Sequence, residues 1–290
     1  MILALLLHGC APDGLDEVDD FGSNPGNLRM YEHVPADAAG PLPLVLFLPG
    51  CTQQQSAAAD AGFVAQSDAG PFVLVVAEQR RTNNPNLCFD WFLPGDTRRD
   101  EGEAGSLAQM VAFASARHDV DPERVFVAGM SAGAAMSVVM LALYPDVFAG
   151  GASLAGVPFG CAGSLTDSVE CMVGRSSASA ADVREVNPWE GPWPRLLVVH
   201  GDADAVVAPG NADALAAQWA ELHGNPAVST STDGDLEVEV HGDRLVEVVR
   251  IPGLGHAVPV VPDSGCGKRG LFQADIGWCA AAYASDFFGI

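Results

Sequence analysis

Short unbroken apolar runs alternate along this chain with longer stretches in which apolar residues return every three or four positions. Residues 44–48 (LVLFL) and 72–77 (FVLVVA) are continuous hydrophobic segments, the pattern of strands buried on both faces. Residues 103–117 carry helical spacing, which ends at His118-Asp119. A further buried strand is predicted over 124–128 (RVFVA), followed by a helix over 132–143, rich in Ala, Met and Leu, that stops at Tyr144-Pro145. A strand over 196–200 (LLVVH), a helix over 211–222 and strands over 236–240 and 245–251 continue the alternation, without an internal repeat. Strand and helix in succession predict an α/β fold, a mostly parallel central sheet flanked by helices. Residues 157–194 lack a clear period and are read as an excursion over the sheet rather than a second domain.

Composition narrows the function classes. Hydrophobic residues make up 49% of the 290 positions, ample for a packed core. Fourteen Lys and Arg against 37 Asp and Glu give a net charge of −23, a field that repels phosphate backbones and anionic head groups. Nucleic acid is therefore not an expected partner, and no mechanism follows from the charge. An odd count of seven cysteines sets one apart. Cys10 is that one: it follows the apolar run 2–7 and heads the polar, acidic stretch 11–20, so LLHGC loosely resembles a bacterial lipoprotein box. Residues 1–20 are thus expected to be the remnant of an export signal and a linker, with 21–290 as one domain. The protein is expected outside the cytoplasm, as an outer-membrane lipoprotein if Cys10 carries a lipid; that lipid would be its membrane contact. The acidic residues between Asp16 and Asp20 lack the spacing of a calcium loop and are read as solvated linker.

The densest chemical signal is RVFVAGMSAGAAM (124–136), in which Gly129-Met130-Ser131-Ala132-Gly133 fits G-x-S-x-G. A buried strand leads in and a small-residue helix leads out, which is the setting of the nucleophile elbow of the α/β-hydrolase fold. A serine needs a base and an orienting acid, which in this fold follow in the order acid, then His. Asp204 lies just past the strand 196–200, in HGDADAVV, with Asp202 as the competitor in the tight turn. Of the downstream histidines, His223 and His241 read as solvated surface residues, whereas His256 sits in the flexible loop PGLGH after strand 245–251. Ser131, Asp204 and His256 are the expected triad. Leu48 leads into PGCTQ (49–53), so the backbone N–H groups of Cys51 and Ala132 are the expected oxyanion hole. Trp91 and Phe92 are the candidate substrate-binding residues, set against a reading in which they are core. No C-x-x-C, H-E-x-x-H, G-x-x-x-x-G-K-[ST] or G-x-G-x-x-G motif calls for a metal or a cofactor, and none is expected.

These motifs in register resemble the extracellular polyhydroxyalkanoate (PHB) depolymerase-like esterases, neighbours of the feruloyl and acetylxylan esterases. The likeness runs through FGSNPGNLRMYEHVP (21–35), read as an opening strand pair, PGCTQ, NPNLCFDWF (84–92), GMSAGAAM, YPDVFAGGASLAGVPFG (144–160), HGDADAVV, GLGHAVPV and the closing segment from Cys266. It implies the same triad. It also implies a secreted serine esterase acting through an acyl-enzyme on short-chain 3-hydroxyalkanoate esters or oligomers. Feruloyl or acetylxylan esterase is the alternative, and a lipid-anchored, catalytically silent binding protein the reading from another class. Pro49 stands where the family usually has His, Ala134 replaces a glycine, and Phe89-Asp90 replace a Trp-Asn pair, departures that bear on substrate. The short stretch after His256 implies no polymer-binding domain and weak adsorption to a crystalline polyester. The six cysteines other than Cys10 are expected to pair as 161 with 171 and 266 with 279, on the spacing of local loops, leaving 51 with 88.

Overall fold

The computed structural model describes residues 13–36 and 38–290. The residues around Cys10, with the export and lipid expectations that rest on them, lie outside that range. Among the described residues, twelve strands and eight α-helices follow one another as β1 (Asp16–Val18), β2 (Arg29–His33), β3 (Leu42–Leu48), α1 (Ala57–Asp60), α2 (Phe63–Ala69), β4 (Val73–Glu78), α3 (Gly102–Arg117), β5 (Val120–Met130) and α4 (Ala132–Leu143). Then come β6 (Gly150–Leu154), α5 (Leu165–Met172), α6 (Ala180–Val186), β7 (Arg195–Gly201), α7 (Gly210–Leu222), β8 (Val228–Asp233), β9 (Leu236–His241), β10 (Val246–Ile251), β11 (Val258–Val260), β12 (Gln273–Asp275) and α8 (Ala280–Phe288).

Ten strands form one sheet in the order β1-β2-β4-β3-β5-β6-β7-β10-β9-β8. The six from β4 to β10 are mutually parallel, and an antiparallel pair closes each edge. The apolar runs explain this placement. Along β3, Leu44, Leu46 and Leu48 face the layer of α3, α4, α6 and α7, whereas Val45 and Phe47 face that of α1, α2 and α8. A strand apolar on both faces is stable only inside such a sandwich.

Three strands of the ten-stranded sheet are not read as strands from the sequence. Asp16–Val18, read from sequence as linker, pairs antiparallel with β2 and extends the sheet. The opening strand pair of segment 21–35 is therefore β2 with a partner that lies before the segment. Strand β8 (VSTSTD) is exposed along its whole length and pairs only with β9. Strand β6 (GGASL) is central yet poor in branched residues, because a Cβ on Gly151 would lie 2.8 Å from Leu141 of α4. Small residues there let the helix that follows Ser131 rest on the sheet.

Residues 157–194 hold two short helices, α5 and α6, with Cys161 joined to Cys171. The other bonds are Cys51–Cys88 and Cys266–Cys279. All three are the pairs expected, two from loop spacing and Cys51–Cys88 by elimination. Among the described residues no helix is long and apolar enough to cross a membrane.

Candidate active site

Strand β5 ends at Met130 and α4 begins at Ala132, leaving Ser131 alone in the turn with φ 55° and ψ −119°. That backbone costs a non-glycine residue about 1–3 kcal/mol. It is held by two hydrogen bonds, Ser131 N–H to the Leu154 carbonyl at 2.9 Å and Ala135 N–H to the Ser131 carbonyl at 2.9 Å. Close approach of helix and strand makes the turn possible. A Cβ on Gly133 would lie 2.0 Å from the Leu48 carbonyl oxygen, and one on Gly129 2.4 Å from that of Gly133.

Two loops at the carboxyl edge of the sheet bring partners to Ser131. His256, in the loop after β10, places Nε2 at 2.9 Å from Ser131 Oγ and Nδ1 at 2.7 Å from Asp204 Oδ2. An ionised Asp204 fixes the tautomer: Nδ1–H donates to the carboxylate, and Nε2 accepts from the serine hydroxyl. Asp204 follows β7 and is buried. Burial alone would raise its pKa, but donors from His200 and His256 and the N–H groups of Val207 and Val206 hold it well below the ordinary carboxylate range. The two backbone donors reach Oδ1 at 2.9 and 2.8 Å.

After β3, the loop 49–53 lies against the elbow: a Cβ on Gly50 would come within 3.3 Å of Ser131 Cβ. Gln53 Oε1 accepts the Gly50 N–H at 2.6 Å, so the loop is braced by its own side chain where Pro49 offers none. Thr52 N–H donates to the Asn86 carbonyl at 2.6 Å, and the Cys51–Cys88 bond ties the same two loops covalently. The N–H groups of Cys51 and Ala132 have no acceptor among the described residues, and both residues border the cavity that opens at Ser131. That cavity encloses about 150 Å³. Trp91 and Phe92 form one wall, their rings edge to face at 5.3 Å, and Val157, Met172 and Val207 form another. Both aromatics are also buried in the main core.

Behind this wall Glu103 of α3 is buried. It accepts the Asp90 N–H at 2.8 Å and a hydrogen bond from Gln79 Nε2, which also donates to the Cys88 carbonyl at 3.1 Å. Burial pushes the Glu103 pKa up to about 8 against the pull of the Asp90 N–H, and the neighbouring Asp96 and Asp90 charges add to the rise.

Asp202 does not approach His256. Its Oδ1 accepts the Gly253 N–H at 2.6 Å, which pins the start of the histidine loop. The surface reading of two histidines is corrected. His241 is 7% exposed, because it ends β9 between two strands, and it pairs with Glu239 at 2.7 Å. His223 is half-buried where α7 turns back on Pro194, and this burial lowers its pKa. Sequence reasoning missed Gln53, the wall from α5, and His200, although a buried strand that ends in a histidine four residues before the candidate acid was a usable signal. No cluster of His, Cys, Asp and Glu suited to a metal occurs among the described residues.

The chain matches the family model described as Esterase PHB depolymerase over residues 29–241. It is 41% identical to poly(3-hydroxyalkanoate) depolymerase C of Paucimonas lemoignei, over 95% of this chain and 70% of that protein. It is 32% identical to an acetylxylan esterase of Coprinopsis cinerea, over 95% of this chain and 73% of that protein. Among solved structures, the acetyl xylan esterase from Aspergillus awamori superposes with a TM-score of 0.81 at 26% identity, covering 95% of this chain and 98% of that one. The architecture is that of the α/β-hydrolases.

Proposed function

This chain belongs to the Esterase PHB depolymerase family and is a carboxylic ester hydrolase, and on that premise we propose that it cleaves short-chain 3-hydroxyalkanoate esters and oligomers through an acyl-enzyme on Ser131. The observation that carries the mechanism is the continuous hydrogen-bonded chain from Ser131 Oγ through His256 to Asp204, at 2.9 and 2.7 Å. In the proposed reaction His256 Nε2 takes the serine proton as Oγ attacks the ester carbonyl. Asp204 stabilises the imidazolium without taking its proton. The Cys51 and Ala132 N–H groups receive the oxyanion, His256 returns the proton to the leaving alcohol, and water repeats the sequence to release the acid.

The acyl group is proposed to lie against Trp91, Phe92 and Val157, in a cavity suited to a short apolar chain. The likeness to poly(3-hydroxyalkanoate) depolymerase C supports the hydroxyalkanoate reading. A second reading, acetylxylan esterase, draws on the superposition with a protein of that name and on the small size of the cavity. Three disulfides support an oxidising, extracytoplasmic location. Anchoring through a lipid on Cys10 stays part of the proposal.

Ser131→Ala tests the mechanism. It should lower kcat by about 10³-fold or more with an unchanged melting temperature, and abolish labelling by a fluorophosphonate. Retained labelling would refute the assignment. A panel of hydroxybutyrate oligomers, acetylated xylan and methyl ferulate ranks the substrates, and the highest kcat/KM on acetylated xylan would favour the second reading.

A further inference from the structure

His200, the penultimate residue of β7, has a side chain only 1% exposed. Its Nε2 lies 3.0 Å from the Val207 carbonyl and 3.4 Å from Asp204 Oδ2, the oxygen that also faces His256. Nδ1 is buried without a partner among the described residues. These contacts select a tautomer: a proton on Nε2 donates to the Val207 carbonyl and stands beside the Asp204 carboxylate, whereas one on Nδ1 would bury an N–H with no acceptor among the described residues. His200 thus donates to Val207 and lies in ion-pair range of Asp204, so it bridges the two ends of the turn 204–207. The turn is closed from the other side by Val206 and Val207 donating to Asp204 Oδ1. Of the charged groups on the strand beside it, Arg250, its register partner on β10, is committed to Asp213 and Glu239 and leaves His200 to the acid.

We propose that His200 is a positioning residue of the esterase reaction: by donating to Asp204 Oδ2 and the Val207 carbonyl together, it fixes the plane of the Asp204 carboxylate and shares its charge with His256. The inference rests on the triad reading above. Without His200, Oδ2 is held by His256 alone, and a turn about the Cβ–Cγ bond would carry it away from His256 Nδ1. The His200 N–H beside Oδ2 also draws off negative charge, so less of it falls on His256. His200 itself touches neither Ser131 nor the cavity.

The test compares wild type with His200→Leu, His200→Asn and His200→Gln, each normalised to active sites counted by fluorophosphonate titration. Rates of p-nitrophenyl butyrate hydrolysis are measured from pH 5 to 9. His200→Leu removes the donor and should lower kcat per titrated site by about 10–100-fold, the worth of a hydrogen bond to a charged acceptor. KM should stay within about twofold. The acidic limb of the kcat/KM profile should move to higher pH, since Asp204 then keeps more charge for His256. Gln can extend an amide N–H to both acceptors and should recover most of the rate. Asn is one methylene shorter and should not, and this contrast carries the test if the leucine variant does not fold. Unchanged kcat per site and an unmoved acidic limb in the folded variants, with only a lower melting temperature, would overturn the proposal. Asp204→Asn separates the two ideas. If it stays active, the triad reading itself fails. If it is inactive while the His200 variants match wild type, only the role of His200 fails.

Discussion

Gly133→Ala puts the closeness of α4 and β3 to a direct test. The added Cβ would stand 2.0 Å from the Leu48 carbonyl oxygen, 2.5 Å from its carbon and 2.5 Å from the Pro49 carbonyl oxygen. All three are backbone atoms, so no rotamer change relieves the contact. Reaching an ordinary separation of about 3.2–3.4 Å requires the helix start and the end of β3 to part by at least ~1 Å. Overpacking of this kind costs about 1–3 kcal/mol, which in a chain of this size lowers the melting temperature by several degrees. The effect on chemistry should be larger in proportion. Leu48 leads straight into Cys51, and Gly133 lies two residues after Ser131, so the methyl separates the proposed nucleophile from one of the proposed oxyanion donors. A displacement near 1 Å costs on the order of 10² in rate. The assay is kcat on p-nitrophenyl butyrate per titrated site, beside thermal unfolding followed by circular dichroism. Gly210→Ala is the control, since a Cβ there meets nothing within 4 Å. A Gly133→Ala enzyme within threefold of wild type in kcat, with an unaltered melting temperature, would refute the argument that this contact sets the geometry of the elbow.

Glu103→Gln should flatten the dependence of stability on pH. With the carboxyl raised from its ordinary 4.5 to about 8 in the folded protein, its contribution is fully present below pH ~4.5 and is lost as pH rises through 8, at up to about 1.4 kcal/mol per unit. Urea midpoints at pH 5, 6, 7 and 8 should therefore converge on, or fall below, those of the variant as pH rises, and parallel curves would contradict the shift. Trp91→Ala removes both a core ring and a cavity wall. It should lower stability by about 3–5 kcal/mol and reduce kcat/KM for butyrate roughly tenfold more than for acetate. Equal losses on both esters at matched active-site concentration would remove Trp91 from acyl recognition.

Much of this molecule is legible in one dimension because burial writes a period into the chain. Strands 3, 4, 5 and 7 sit between two helical layers and carry runs apolar on both faces, so these runs stand out unaided. The elbow is legible for a related reason: glycines at 129 and 133 are demanded locally by a strand turning into a helix around Ser131. Chain order then carried the choice of Asp204 and His256, because each follows a recognisable strand by a few residues.

Tertiary structure decided what has no period or depends on distant partners. Strands β1 and β8 lie at the sheet edges and bury little, so polar residues suffice and their pattern looks like linker or loop. Strand β6 trades branched residues for glycine so that α4 can press against it, which hides a central strand behind a loop-like composition. Which histidines are buried was equally inaccessible: His241 owes its environment to the strands on either side, and His223 to Pro194, neither visible from its own neighbours in the chain. The wiring of the site belongs here too. That Asp202 holds Gly253 and that Gln53 braces Gly50 are facts of angle and distance. A sequence records which groups can donate and accept, whereas only the packed sheet settles which of them come within 3 Å of one another.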